Sequence, residues 1–80
     1  MRLDKYLKVS RIIKRRTLAN EACSGGRVSV NGRVAKAGAE IKENDIIEIR
    51  FGNNVTKIKV ISVAAHVTKE GSKELFEIIL

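Results

Sequence analysis

Eighty residues with 44% hydrophobic content suffice for one domain, and a chain of this size buries only about 60% of its unfolded surface, which leaves little room for a second site. One cysteine excludes an internal disulfide, no apolar run approaches the roughly 18 residues of a membrane span, and three aromatic residues are too few for a row of stacked bases. The formal net charge is +7, and residues 1–16 alone hold seven basic side chains against Asp4, or +6, so the chain reads as a polyanion binder with one defined contact face.

From Arg2 to about Lys8, Leu3, Tyr6 and Leu7 fall at i, i+3 and i+4, which predicts a short helix with an apolar side for the core and a basic side of Arg2, Lys5 and Lys8. The period slips at Val9-Ser10, where a bend is expected. From Lys14 or Arg15 a second helix is predicted, with Leu18, Ala19, Ala22 and Cys23 on one face and Ser24-Gly25-Gly26 ending it; either glycine can take the left-handed conformation of a C-cap. No Ser, Thr, Asp or Asn stands at the expected start of this helix. Arg15 and Arg16 instead put positive charge at the positive end of its dipole, an unfavourable placement of roughly 0.3–1 kcal/mol per exposed charge, which points to a partner. Arg16 should therefore be costlier to function than to folding.

In Arg27–Val34, alternating valines flank Asn31-Gly32, the residues suited to the two positive φ angles of a type I′ hairpin turn. Ala35 to Asn44 is irregular, with Gly38 permitting a turn, and leads into a strand over Asp45–Phe51 whose Ile47, Ile49 and Phe51 share a buried face. After the turn Gly52-Asn53-Asn54 comes a strand from Val55 to about Val63, in which Thr56, Ile58 and Val60 alternate with Lys57 and Lys59. A last hairpin is expected to pair Val63–Val67 with Leu75–Leu80 across Thr68–Lys73, with Phe76, Ile78 and Leu80 on one face. The layout is α+β: two N-terminal helices packed on one side of a small antiparallel sheet of four to five strands.

Four blocks, in order, carry a family likeness: Arg2-Leu3-Asp4-Lys5-Tyr6-Leu7, Arg16-Thr17-Leu18-Ala19-Asn20-Glu21-Ala22, Gly26-Arg27-Val28-Ser29-Val30-Asn31-Gly32 and Asp45-Ile46-Ile47-Glu48-Ile49. Over about residues 2–50 the chain resembles the S4 RNA-binding domain family, and within it the free-standing, heat shock protein 15-like members. One S4-like domain over 1–80 is thus expected, its motif core at 2–50 and further strands at 55–80. Lys14 and Arg15 stand where many members place a Ser or Thr cap before the arginine matching Arg16, and the long basic C-terminal extension of some members is absent, which favours a compact form. The resemblance implies that the two helices and first hairpin form an RNA surface. It further implies a factor of ribosome-associated quality control that binds the free large ribosomal subunit carrying peptidyl-tRNA, contacts rRNA and tRNA, and steadies the P-site tRNA while a partner factor supports alanine tailing of the stalled chain. The alternatives are a subunit-assembly or rRNA-binding factor, and a basic protein-interaction module.

The residues expected to bind RNA are Arg16 and Arg2 first, then Arg11, Arg15, Lys5, Lys8 and Lys14, with Arg27, Arg33 and Lys36 extending the surface around the hairpin. Arginine suits the task because its planar five-donor fork matches phosphate and can stack on an unpaired base. Asp4 is read as orienting a neighbouring arginine or capping the first helix, Cys23 as a small buried residue, Tyr6 as core with its hydroxyl at the edge. His66 has no second ligand at metal spacing, and the glycines lack nucleotide-loop spacing. No nucleophile has a base beside it, so the expectation is a non-enzymatic, cofactor-free, cytoplasmic monomer.

Overall fold

The computed structural model describes residues 1–63 and 75–79. In chain order they form α1 (Leu3–Val9), α2 (Arg16–Ser24), β1 (Val28–Val30), β2 (Arg33–Val34), β3 (Ile46–Phe51), β4 (Asn54–Val60) and β5 (Phe76–Ile79). In α1, Leu3, Tyr6 and Leu7 are fully buried while Arg2 and Lys8 stay exposed, as the i, i+3, i+4 spacing requires. The N-cap residue Arg2 makes no side-chain cap bond, but within the first turn Asp4 Oδ1 accepts the Lys5 amide at 2.8 Å. The first two amides of the helix are satisfied from across the fold, those of Leu3 and Asp4 donating to the carbonyls of Ala39 and Ala37 at 2.8 and 3.1 Å.

Both helices end in the same way, with a left-handed residue just past the cap. After α2 that residue is Gly26, φ 73°, and the Gly26 and Arg27 amides reach back to the carbonyls of Cys23 and Ala22, the two bonds of a Schellman motif. After α1 it is Arg11, φ 64°, whose amide returns to the Lys8 carbonyl at 3.0 Å. The bend expected at Val9-Ser10 is this turn, and beyond it Ile13 drops back into the core.

Ala19, Ala22 and Cys23 are buried on α2, but Leu18 is 49% exposed. At 100° per residue it lies outside the arc that those three small residues fill, and their size lets α2 sit too close for a fourth, larger one.

The sheet runs β2-β1-β3-β4-β5, antiparallel at every junction. Asn31 and Gly32, with φ of 53° and 84°, form the expected tight hairpin turn. The Asn31 side chain does more than turn: its amide donates to Asp45 and its oxygen accepts the Ile46 amide at 2.9 Å, fastening the hairpin to β3. On the inner face Val28 stands opposite Ile49 and Ile47 opposite Ile58, and these four join Leu3, Tyr6 and Leu7 in one core.

The C-terminal expectations need correction. β4 stops at Val60, short of the expected Val63, and β5 pairs with β4, Val60 opposite Phe76 and Ile58 opposite Ile78. The amides of Ile61 and Ser62 both turn to the Leu75 carbonyl, so the chain leaves the ladder there. Alternation assigns a face but not a partner. Beyond Val63, that expected strand, the loop Thr68–Lys73, His66 and Leu80 lie outside the described residues. Phe51 and Ile78 are 44% and 62% exposed on the nominally inner face, because both sit at its margin, Phe51 at the β3–β4 turn and Ile78 on the outermost strand among the described residues. Tyr6 is wholly inside, its hydroxyl donating to the Leu75 carbonyl.

Candidate nucleic-acid interface

Asp4 organises the site. It is 2% exposed, yet both carboxylate oxygens are occupied: Oδ1 accepts from Arg2 Nε at 3.2 Å and from the Lys5 amide at 2.8 Å, and Oδ2 accepts from Arg16 Nε at 3.3 Å. Burial alone would raise the Asp4 carboxyl, but the bonds from Arg16 and the Lys5 amide and the two guanidinium charges outweigh it, holding the group below its ordinary 3.8. One carboxylate thereby ties the start of α1 to the start of α2. Each arginine is held through Nε, with about half of its side chain exposed, which leaves its terminal nitrogens for a ligand. A fork fixed in this manner loses little freedom on binding phosphate.

The remaining cations fall into groups. Lys5 is half-buried and Lys8 exposed on α1, while Arg11, Lys14 and Arg15 are exposed along the link between the helices. Arg15 takes the N-cap position of α2 with no side-chain cap bond, and Arg16 opens the helix, one or two residues after the predicted start. Lys36 lines a groove with Cys23, Ser24, Gly26, Val34, Ala35, Ala37 and Gly38. Gly38 lies beside the first cluster, since a Cβ there would sit 3.8 Å from Nη2 of Arg2.

Arg27 and Arg33 are less simply placed. Arg27 lies over the C-terminal end of α2, where a Cβ on Gly25 would meet both its Nε and the Glu21 carbonyl at 3.3 Å, so its charge complements the negative end of that helix. It also lines a hollow with Ser29, Glu48, Arg50 and Val55 at the sheet, away from Asp4. Arg33 is the exposed first residue of the edge strand β2.

Sequence reasoning missed Arg50, whose amide bonds the Arg27 carbonyl and which stands beside Arg27 in that hollow. It also missed Thr17, Asn20 and Glu21, which line a groove with Asp4 and Arg16 on the exposed side of α2. Their i, i+1, i+4, i+5 spacing from Arg16 was legible, but a charge count gives neutral residues no weight. Cys23 lies behind the cluster; burial and the Asp4 charge push its thiol up from 9.0 to about 11, so it is an inert core residue. Among the described residues no group of acids, histidines and cysteines could hold a metal, and no helix is long and apolar enough to cross a membrane.

A family model described as the S4 domain matches residues 1–47. The chain is 54% identical over 78 residues to the RQC P-site tRNA stabilizing factor of Halalkalibacterium halodurans, covering 98% of this chain and 89% of that protein. It is 53% identical over 79 residues to the protein of the same description in Streptococcus pneumoniae, covering 99% and 90%. The trimeric structure of Vibrio cholerae heat shock protein 15 superposes with a TM-score of 0.90 at 28% identity, covering 99% of this chain and 81% of that one. That relative is a trimer, where the sequence led to the expectation of a monomer here.

Proposed function

This chain belongs to the S4 domain family, and from that premise we propose that it is a non-enzymatic RNA-binding factor of ribosome-associated quality control. It binds the free large ribosomal subunit that carries peptidyl-tRNA, contacts rRNA and tRNA, and holds the tRNA in the P site while a partner factor supports alanine tailing. The names of its relatives support the P-site tRNA part of this reading, and the Arg2–Asp4–Arg16 cluster supports the RNA part.

The observation that carries most weight is that a buried acid presents two arginine forks side by side. An arginine placed only for solubility needs no such fixing, whereas phosphates spaced along a folded RNA do require it. Arg2, Lys5, Lys8, Arg11, Lys14, Arg15 and Arg16 form the principal surface in this reading. Lys36 extends it beside Gly38, and Arg27 and Arg33 contribute at its hairpin margin. In this reading residues 1–80 form a single S4-like domain that works in the cytoplasm.

The deciding experiment is recovery of particles on the tagged protein from cells with stalled ribosomes, followed by cryo-electron microscopy. The expected particle is a free large subunit with a P-site tRNA against which α1 and α2 rest. Immature precursor particles without tRNA would replace this reading with a subunit-assembly role. In purified form, affinity for RNA should fall steeply with salt, each neutralised phosphate contributing about 0.7–0.9 to the slope of log K against log salt.

A further inference from the structure

Glu21 is the residue of the interface that a phosphate-binding surface does not explain. It is exposed, belongs to the last turn of α2, and makes no ion pair among the described residues. A carboxylate there faces the negative end of its own helix, an unfavourable placement that the Arg27 guanidinium over that end offsets without an ion pair to Glu21. It also stands in the groove that contains Arg16, where it would repel any phosphate that Arg16 attracts. The other acid of that groove, Asp4, is consumed by Arg2, Arg16 and the Lys5 amide. Glu21 thus leaves two carboxylate oxygens, acceptors only, beside the exposed side chains of Asn20 and Thr17 and one to two helical turns from an RNA-facing arginine.

We infer that this groove of α2 reads an unpaired guanine, resting on the RNA-binding reading above. The Watson–Crick edge of guanine offers N1–H and N2–H side by side, which match the two oxygens of Glu21, and next to them O6, which accepts from the Asn20 amide. Adenine and cytosine each offer one amino group flanked by a ring-nitrogen acceptor, and uracil one N–H between two carbonyls; each of these edges turns an acceptor toward the carboxylate. Arg16, held by Asp4, takes the phosphate of the same or the neighbouring nucleotide. Single-stranded RNA is the form in which that base edge is open to a side chain.

The test is fluorescence anisotropy of the 80-residue protein with uridine octamers that carry a central guanine, adenine, cytosine or uridine, compared between the native chain and Glu21→Gln. The native chain should prefer the guanine octamer by about tenfold, in the range of one good bidentate base contact. Glu21→Gln should abolish that preference, mainly by weakening the guanine octamer, with the salt slope unchanged because no phosphate contact is lost. Its Tm should equal or exceed that of the native chain, since a charge misplaced on the helix dipole is gone. If Glu21→Gln instead tightens binding to all four octamers alike, Glu21 is a solvated acid and the inference is overturned; equal affinities of the native chain for the four octamers overturn it too. Arg2→Ala with Arg16→Ala separates the two levels. If that variant loses affinity for every octamer while Glu21→Gln gains it, RNA binding stands and only the base reading falls. If the native chain binds none of them, nor folded tRNA, both fall.

Discussion

On the sheet, Glu48 stands opposite Lys57 and Lys59 opposite Glu77, so each charge faces one of opposite sign across the ladder. The helical side is far less balanced. Seven basic residues crowd into residues 1–16, Arg15 and Arg16 sit at the positive end of α2, Glu21 at its negative end, and Arg11 occupies a left-handed position that Gly26 fills in the equivalent turn after α2. The paired charges at β3–β4 and β4–β5 sit as folding prefers and those of α2 run against its dipole, while on α1 Asp4 in the first turn and Lys8 in the last conform to it. The contrast fits the proposed function, in which cations on the helical side serve RNA while the paired charges of the sheet serve stability.

That contrast can be tested from its strongest point downward. Replacing Arg2 and Arg16 together by Ala should weaken RNA binding by roughly a hundredfold, at about 1.5 kcal/mol for each charge-assisted contact, and lower the salt slope by about 1.5. An unchanged salt slope in filter binding would show that these arginines do not meet phosphate. Asp4→Asn adds a positive charge to the molecule, yet should weaken binding by about tenfold because the forks lose their fixed direction. It should also cost roughly 1–2 kcal/mol in urea unfolding, a figure discounted for the half-exposed arginines. Because folding lowers the Asp4 carboxyl below 3.8, its contribution to stability is present above that pH and is lost as pH falls through the lowered value; native and Asp4→Asn proteins should therefore converge in stability in acid.

Arg11→Gly should move the two properties in opposite directions. Relief of the left-handed residue should stabilise the fold by about 1 kcal/mol, while loss of one cation weakens RNA binding several-fold. A destabilised Arg11→Gly protein would mean that the arginine side chain supports the turn. The smallest effect is expected from Glu48→Gln with Lys57→Gln on the sheet, within about 0.5 kcal/mol in stability and below twofold in RNA affinity. A larger loss of binding there would move part of the interface to the sheet and end the contrast.

How far the sequence disclosed all this depends on the range of the interaction. The spacing of Leu3, Tyr6 and Leu7, the Gly25-Gly26 stop and the Asn31-Gly32 turn are local, and each is found within a residue or so of its expected place. The cation cluster was equally plain as composition. What the sequence could not supply was direction: that Asp4 would hold two arginines twelve and more residues apart, that Arg27 would serve the end of α2, or that β5 would lie along β4. Those depend on how the elements pack. Arg16 shows the limit best, since the dipole argument assigned it wholly to RNA, and its bond to the buried Asp4 gives it a share in joining the helices as well.

The bond from the Tyr6 hydroxyl to the Leu75 carbonyl spans 69 positions of the sequence. The helix that carries the first cations is thus latched by the residue that precedes the final strand, at a carbonyl that also gathers the Ile61 and Ser62 amides. Such a contact closes a very large loop and belongs among the last to form in folding. α1 is also tied to the Ala37 and Ala39 carbonyls and, through Asp4, to α2, so its basic side has its full set of tethers only when Leu75 docks as well. An incompletely folded chain has the charge of the proposed RNA surface without its full geometry, so in that reading correct recognition doubles as a report that the domain has closed.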